Sequence, residues 1–384
     1  MIAGVALGLG APGLAASVGV SLIGSAFLRL IRSIVAPLIF GTLVAGIAGA
    51  GSVRAMGRIG LKALVYFELA TTLALVIGLA AANIVRLGEG VHFKQTAVAT
   101  AAQPDATSIM EHTVPASIVD AMARGDVLEI VVFSFLFGAA CASVGAKAKP
   151  VVDFCSALAE VMFRYTKYVM YAAPVGVAAA MAYAVGSKGA AVLWGLGKLI
   201  LTLYGALVIF VVCVLGAVLL VARIPIRRFA AAVREPFLIA FSTATSEAAL
   251  PAALENMEAF GVPRHIVAFV IPVGYSFNLD GSTMYLSLAA LFVAQAAGMH
   301  MPIGQQLLMV LTLMLTSKGV AGVRGAAIVI LGGTLASFGL PLEGVAVLLG
   351  VDTLMDMGRT SVNVLGNCLA SAVVGRWEGA EFKP

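Results

Sequence analysis

The stretch DTLMDMGRTSVNVLGN, residues 352–367, lies inside an apolar run from about 344 to 375 and carries Asp352, Asp356, Arg359, Asn363 and Asn367. Their spacings of four, three, four and four, at 100° per residue, confine them to a sector of roughly 80° on one α-helix. Three ionisable groups on such a face would together cost about 8–10 kcal/mol at a bilayer centre if left unpaired. They need one another, or a ligand. An Asp356–Arg359 pair at i,i+3 is a sufficient structural reason for two of the charges, but it leaves the two asparagines that lengthen the stripe without a role. A polar seam on an apolar helix therefore points to a membrane protein with a site in its interior.

Composition agrees with that solvent. The chain has 384 residues, of which 61% are hydrophobic and only 11% charged, against roughly 25% charged in an average soluble domain. Its mean hydropathy is +1.04. The formal net charge of +5 would suggest nucleic acid only if basic residues gathered with aromatics on a soluble face; here they sit in short loops between apolar runs, and nucleic acid is excluded as a partner. Cys141, Cys155, Cys213 and Cys368 show no metal-ligand or redox spacing. His92, His112, His265 and His300 fall at loops or span ends, and neither HExxH nor GxSxG occurs. An enzyme is not expected, nor an organic cofactor.

Long apolar stretches fall near 16–50, 61–85, 127–146, 150–185, 190–222, 265–298 and 344–375. With Ile2–Gly10, which is shorter than the roughly 20 residues of a crossing and reads as the tail of a first span, they predict about eight transmembrane helices. Residues 229–261 and 303–340 are different. Each is broken midway into arms below crossing length, which predicts two re-entrant hairpins. Arg54, Arg58, Lys62, Lys147, Lys149, Arg223, Arg227, Arg228 and Arg234 mark cytoplasmic loops by the positive-inside rule. The acidic connection from 87 to 126 belongs on the opposite side. Lipid is thus an expected partner, and the expected location is a cell membrane crossed many times.

Backbone that leaves the helical ladder at membrane depth must be satisfied by protein, water or ligand. The first hairpin tip, Ser242-Thr-Ala-Thr-Ser-Glu247, places hydroxyl residues before an apolar arm, where a helix N-terminus favours a carboxylate; an ordinary hydroxyl-rich loop is the plainer alternative. The second tip, SKGVAGVRG at 317–325, has the glycine content of a mobile lid, or of a simple turn. In GYSFNLDGSTMY, residues 274–285, Asn278, Asp280 and Gly281 interrupt an apolar span. A broken helix there, with Gly281 at the unwound point, would offer carbonyls, an amide and a carboxylate to a hard cation.

The four motifs STATSEAALP, NLDGS, SKGVAGVRG and DMGRTSVNVLGN, in this order, resemble the dicarboxylate/amino acid:cation symporter family, the bacterial relatives of the glutamate transporters, over about residues 18–378. The resemblance implies an all-α, glutamate-transporter-like homotrimer in a bacterial inner membrane. Residues 1–222 would supply six amino-terminal helices, mostly scaffold, and 223–384 the core of an elevator transport domain. It implies a substrate that is a small acidic amino acid, glutamate or aspartate, carried with H+ and/or Na+; a C4-dicarboxylate symporter is the alternative, and an ion channel a more distant one. Carried over, the pattern puts Arg359 on the substrate side-chain carboxylate and Asp356 on its α-amino group. Ser246, Ser282, Thr360 and Asn363 surround the rest, and the second tip, with Val323, closes over it. Cation positions become Gly274, Ser276, Asn278, Asp280, Ser317, Asn363 and Asn367.

Three departures bear on the coupling ion. Asn367 stands where sodium-coupled members carry an aspartate, and Phe67 and Ala70 stand where they offer a tyrosine and a hydroxyl, although Thr71 remains. Glu68 resembles a glutamate of bacterial, often proton-coupled, members and is the proton-coupling candidate. Ala244 replaces an arginine of archaeal members.

Overall fold

A backbone in hydrocarbon has to close its own hydrogen bonds, and the helix does so within one segment. In a computed structural model, residues 2–49, 58–89, 91, 116–124, 127–188, 191–317 and 326–382 are described, and their regular structure is entirely helical. The amino-terminal part contains α1 (Ile2–Gly10), the short α2 (Pro12–Ala15), α3 (Val18–Gly49), α4 (Arg58–Val85), α5 (Ile118–Arg124) and α6 (Val127–Val144). A 3-10 turn at Gly145–Ala148 leads to α7 (Lys149–Tyr171), followed by α8 (Ala173–Lys188) and α9 (Ala191–Ile209). The last of these runs through a π-helical turn, Phe210–Leu215, into α10 (Gly216–Val221).

The expected single stretch at 150–185 is thus two helices, parted beside Pro174, whose ring removes a backbone donor. Among the described residues, Arg58–Val85, Val132–Thr166 and Val192–Val221 are the helical runs long and apolar enough to cross a membrane on their own.

Both expected hairpins are present as paired arms. The first is α11 (Ile226–Thr243) and α12 (Ser246–Phe260); the second is α15 (Ile303–Ser317) and α16 (Ala326–Ser337). Between them, α13 (Arg264–Phe277) and α14 (Asp280–Ala296) form the broken helix, and α17 (Glu343–Leu349) precedes the long α18 (Asp352–Trp377). The helix breaks at Asn278–Leu279, and Gly281 belongs to the first turn of α14 rather than to the unwound point.

Two buried apolar clusters organise these elements. The larger joins α4 and α9 to α11–α18, including Phe67, Leu203, Phe229, Tyr285 and Leu369. The smaller joins α3, α6 and α7 through Phe27, Ile34, Ile39, Ile130, Met162 and Val169, and reaches the second hairpin through Val329 of α16. Helix α4 explains its own placement. Its buried face carries small groups at Ala63, Ala70, Ala74 and Gly78, while Leu61, Val65, Leu69, Leu73 and Val76 point outward, each at least 46% exposed. Small residues let helices approach closely, and large apolar ones at the periphery suit lipid rather than water.

Candidate functional site: a polar seam along the last helix

Helix α18 buries the whole stripe. Asp352 is 7% exposed, Asp356 6%, Arg359 and Asn363 2% each, and Asn367 0%. Two sub-sites divide it.

At the upper part of the stripe, Arg359 Nε donates to Asp356 Oδ1 at 2.9 Å and a terminal nitrogen donates to Asp352 Oδ1 at 3.0 Å. The guanidinium carbon lies 4.3 Å from the centroid of Tyr285 on α14, a cation–π arrangement that offsets part of the lost hydration. Thr360 Oγ1 donates to the same Asp356 oxygen at 2.9 Å. Since a guanidinium has five N–H donors, these two bonds leave donors for a further carboxylate. Tyr285 lay outside the expected site residues, and Asp352 was expected on the stripe but without a substrate or cation role. Asp352 had a visible signal, being on the same helical face seven residues before Arg359; Tyr285 had none, because only the tertiary fold brings α14 over α18.

The second sub-site is where α18 meets the broken helix. The first N–H groups of any α-helix have no partner within it. Here Gly281 N and Ser282 N donate to Asn363 Oδ1 at 2.8 and 3.3 Å, and Asn363 Nδ2 donates to Ser282 Oγ at 2.9 Å. Asn363 therefore caps α14 from a neighbouring helix, and this accounts for one of the stripe's two asparagines. Gly281 is glycine because a Cβ there would lie 2.8 Å from the Arg359 Cα. Four residues on, Asn367 Oδ1 accepts from Asn278 Nδ2 at 3.1 Å.

That second asparagine pair leaves unused polar atoms. Asn278 Oδ1 and Asn367 Nδ2 are buried and make no hydrogen bond within the described residues. Asp280, fully buried, accepts from Thr71 Oγ1 at a long 3.4 Å, and Gly366 lies so near that a Cβ would stand 2.7 Å from Asp280 Oδ2. Gly274 faces Asn367, where a Cβ would come 2.7 Å from the carboxamide carbon. An oxygen-rich, buried cluster of this kind suits a hard monovalent cation. Among the described residues no three of His, Cys, Asp and Glu converge to hold a transition metal. Phe67, fully buried, packs toward Gly274, so a ring edge occupies the side from which a hydroxyl could have supplied another oxygen.

Other expected residues are more peripheral. Ser246 is buried at the start of α12, and both arms of the first hairpin pack on α18. The tip does not use hydroxyl capping: Thr245, at the N-cap position, makes no side-chain cap, and its hydroxyl bonds Thr243 Oγ1 at 3.1 Å. Ala244 is buried with φ +51°, a left-handed conformation that costs an L-residue about 1–2 kcal/mol. Ser276 is half-buried near the end of α13, and Glu68 is half-buried on α4, with its carbonyl accepting from Thr72 Oγ1 at 2.7 Å. Ser317 closes α15. Val323, Lys318 and Arg324 of the second tip lie outside the described residues, as do Arg54 and most of the acidic connection.

The family model of the sodium:dicarboxylate symporter family matches residues 1–377. The chain belongs to the sodium:dicarboxylate symporter family. Within it, the chain is 44% identical over 367 residues to a proton/sodium-glutamate symport protein of Geobacillus stearothermophilus, covering 93% of this chain and 87% of that protein. It is 44% identical to a proton/glutamate-aspartate symporter of Escherichia coli strain K12, covering 92% and 84% of the two chains. It is 42% identical to a C4-dicarboxylate transport protein of Anaeromyxobacter sp. strain K, covering 93% and 83%. The family reading made from the four motifs holds, and this is a family of cation-coupled symporters, not of enzymes. For a sodium:dicarboxylate symporter the seam has an apt charge balance. Asp280, Asp352 and Asp356 against Arg359 leave the buried site net negative, so an anionic substrate raises the electrostatic cost unless cations enter with it.

Proposed function

We propose that this chain is a secondary active symporter for acidic amino acids, glutamate or aspartate, coupled to protons and/or sodium. The observation that carries it is the buried pairing of Asp356 with Arg359 on one helical turn. A guanidinium matches a carboxylate bidentately, and a carboxylate matches an ammonium; an acidic amino acid offers both partners. Arg359 takes the side-chain carboxylate, Asp356 the α-amino group, and Ser246, Ser282, Thr360, Asn363 and Val323 the remainder. The cations occupy the cluster of Gly274, Asn278, Asp280 and Asn367, with Ser276, Ser317 and Asn363, and Glu68 carries the proton.

An elevator mechanism in a homotrimer of eight-span protomers is proposed from the family resemblance alone, because the smaller apolar cluster also takes in Val329 of the second hairpin. The division is proposed at residue 222, although α4, α8, α9 and α10 all contribute to the apolar cluster of the carboxy-terminal unit. The location is a bacterial inner membrane. A C4-dicarboxylate symporter is the second reading, favoured by the similarity to the C4-dicarboxylate transport protein of Anaeromyxobacter.

Counterflow and gradient-driven uptake of labelled glutamate, aspartate and succinate by purified protein in liposomes tests these readings, with sodium and pH gradients imposed separately. Concentrative uptake of an amino acid under one of the gradients is expected. Succinate taken up better than either amino acid would overturn the assignment of Asp356, and substrate that only equilibrates would indicate a channel.

A further inference from the structure

Helix α18 is held from behind as well as used from in front. On the 100° spacing of a helix, Leu354 and Gly358 share a face roughly 160° away from the stripe of Asp352, Asp356, Arg359 and Asn363. Tyr204 of α9 meets that rear face at both residues. Its hydroxyl donates to the Leu354 carbonyl oxygen at 2.7 Å; a main-chain carbonyl has two lone pairs and can accept this bond beside the one from its own helix. One turn further on, Gly358 is buried, and a Cβ there would lie 3.0 Å from the Tyr204 ring and 3.2 Å from Leu207 Cδ1. The wall is itself anchored, because Leu203 and Leu207 of the same helix are 0% and 3% exposed in the larger apolar cluster.

The grip falls on the turn that carries the charges. Arg359 follows Gly358 directly, and Asp356 precedes it by two. Both ride on α18, whereas Ser246 and Ser282 belong to α12 and α14. The seating of α18 against α9 therefore fixes the span between the guanidinium and those serines. A close-packed interior transmits a displacement at the back of a helix to its front.

We propose that Tyr204 is a positioning residue that sets the depth of the acidic-substrate site from behind α18 and so selects between substrates that differ by one methylene. This rests on Arg359 taking the side-chain carboxylate, as proposed above. Tyr204 touches no substrate and acts through the backbone of the turn 354–359. With the ring in place α18 cannot recede, and the site fits one spacing of the two carboxylates.

Titration calorimetry of purified full-length protein at fixed sodium and pH compares glutamate with aspartate, and glutarate with succinate, in wild type, Tyr204→Leu, Tyr204→Phe and Gly358→Ala. Tyr204→Leu leaves room behind the helix and should move the affinity ratio toward the longer member of each pair. Gly358→Ala pushes the helix off the ring and should move it toward the shorter member. Each shift is expected at about tenfold, the low end of what one methylene is worth in a fitted pocket. Tyr204→Phe keeps the ring and should keep the wild-type ratio; a shift as large as that of Tyr204→Leu would overturn the ring as the backstop. Both affinities of a pair are read on one preparation, so a lower folded fraction does not change their ratio. Ratios unchanged in Tyr204→Leu and Gly358→Ala, or moved the same way by both, would overturn the inference. Failure of the amino acid reading is seen separately, in wild type, as binding of the plain dicarboxylates alone, and the second pair then still tests the backstop.

Discussion

Replacing Asp352 with asparagine keeps the outline of the side chain and removes its charge, which isolates the competition for Arg359. The guanidinium is shared between Asp352 at 3.0 Å and Asp356 at 2.9 Å. A substrate carboxylate joining the same guanidinium would come within about 5 Å of Asp352, where two like charges repel by about 3 kcal/mol at an effective dielectric constant of 20. The amide of the variant still accepts a neutral hydrogen bond, so Arg359 stays in place at a loss of about 1 kcal/mol. The balance, roughly 1–2 kcal/mol, corresponds to substrate affinity tighter by about five- to thirtyfold. Calorimetric binding of glutamate to purified protein, at stepped sodium concentration and pH, reads this directly. The gain should be largest at low cation concentration, because the substitution and a bound cation relieve the same negative charge. Unchanged affinity, or binding weakened at every cation concentration, would refute the argument and make Asp352 a required anchor of the arginine.

Removing the guanidinium with Arg359→Cys leaves an acidic substrate's side-chain carboxylate buried without a partner, whereas serine or alanine loses nothing. Competition against labelled substrate should shift toward neutral amino acids, and retained acidic selectivity would place the carboxylate elsewhere. Asn367→Asp adds a charge beside Asn278 and should raise sodium affinity, measured by sodium-dependent uptake, while Glu68→Gln should flatten the pH dependence of uptake. Just past the end of α18, hydrogen bonding from Arg58 and then Lys62 holds the Glu378 carboxyl down to about 2. Its folded value lies below the ordinary value of 4.5, so its stabilising contribution is present above that pH and disappears as pH falls from about 4.5 toward 2. Thermal unfolding of wild type should weaken across that window, and Glu378→Gln should remove this part of the pH dependence.

The helical architecture, both hairpins and the broken helix were legible because each has a local cause: apolar length, interruption below crossing length, or a charge that apolar surroundings cannot tolerate. The limits of that reading are equally physical. At 150–185 hydropathy stays continuous across the break at Ala172, so composition alone merged α7 with α8. Gly281 was read as an unwinding point because glycine weakens helices, yet its place within α14 is dictated by the Arg359 backbone pressing against it. Thr245 has the residue type of an N-cap, but its hydroxyl finds a nearer partner in Thr243.

By itself the sequence determined that one face of residues 352–367 is polar, because helical spacing is a property of consecutive residues, and it determined the family through four ordered motifs. The tertiary structure alone decided what each residue on that face does. Asn363 becomes a cap for α14, Asn367 a partner of Asn278, and Asp352 a competitor for Arg359 beneath the Tyr285 ring. These roles depend on which helix end or aromatic ring arrives from 74 to 89 positions away, and no local pattern encodes a meeting that is set by the packing of α13 and α14 against α18.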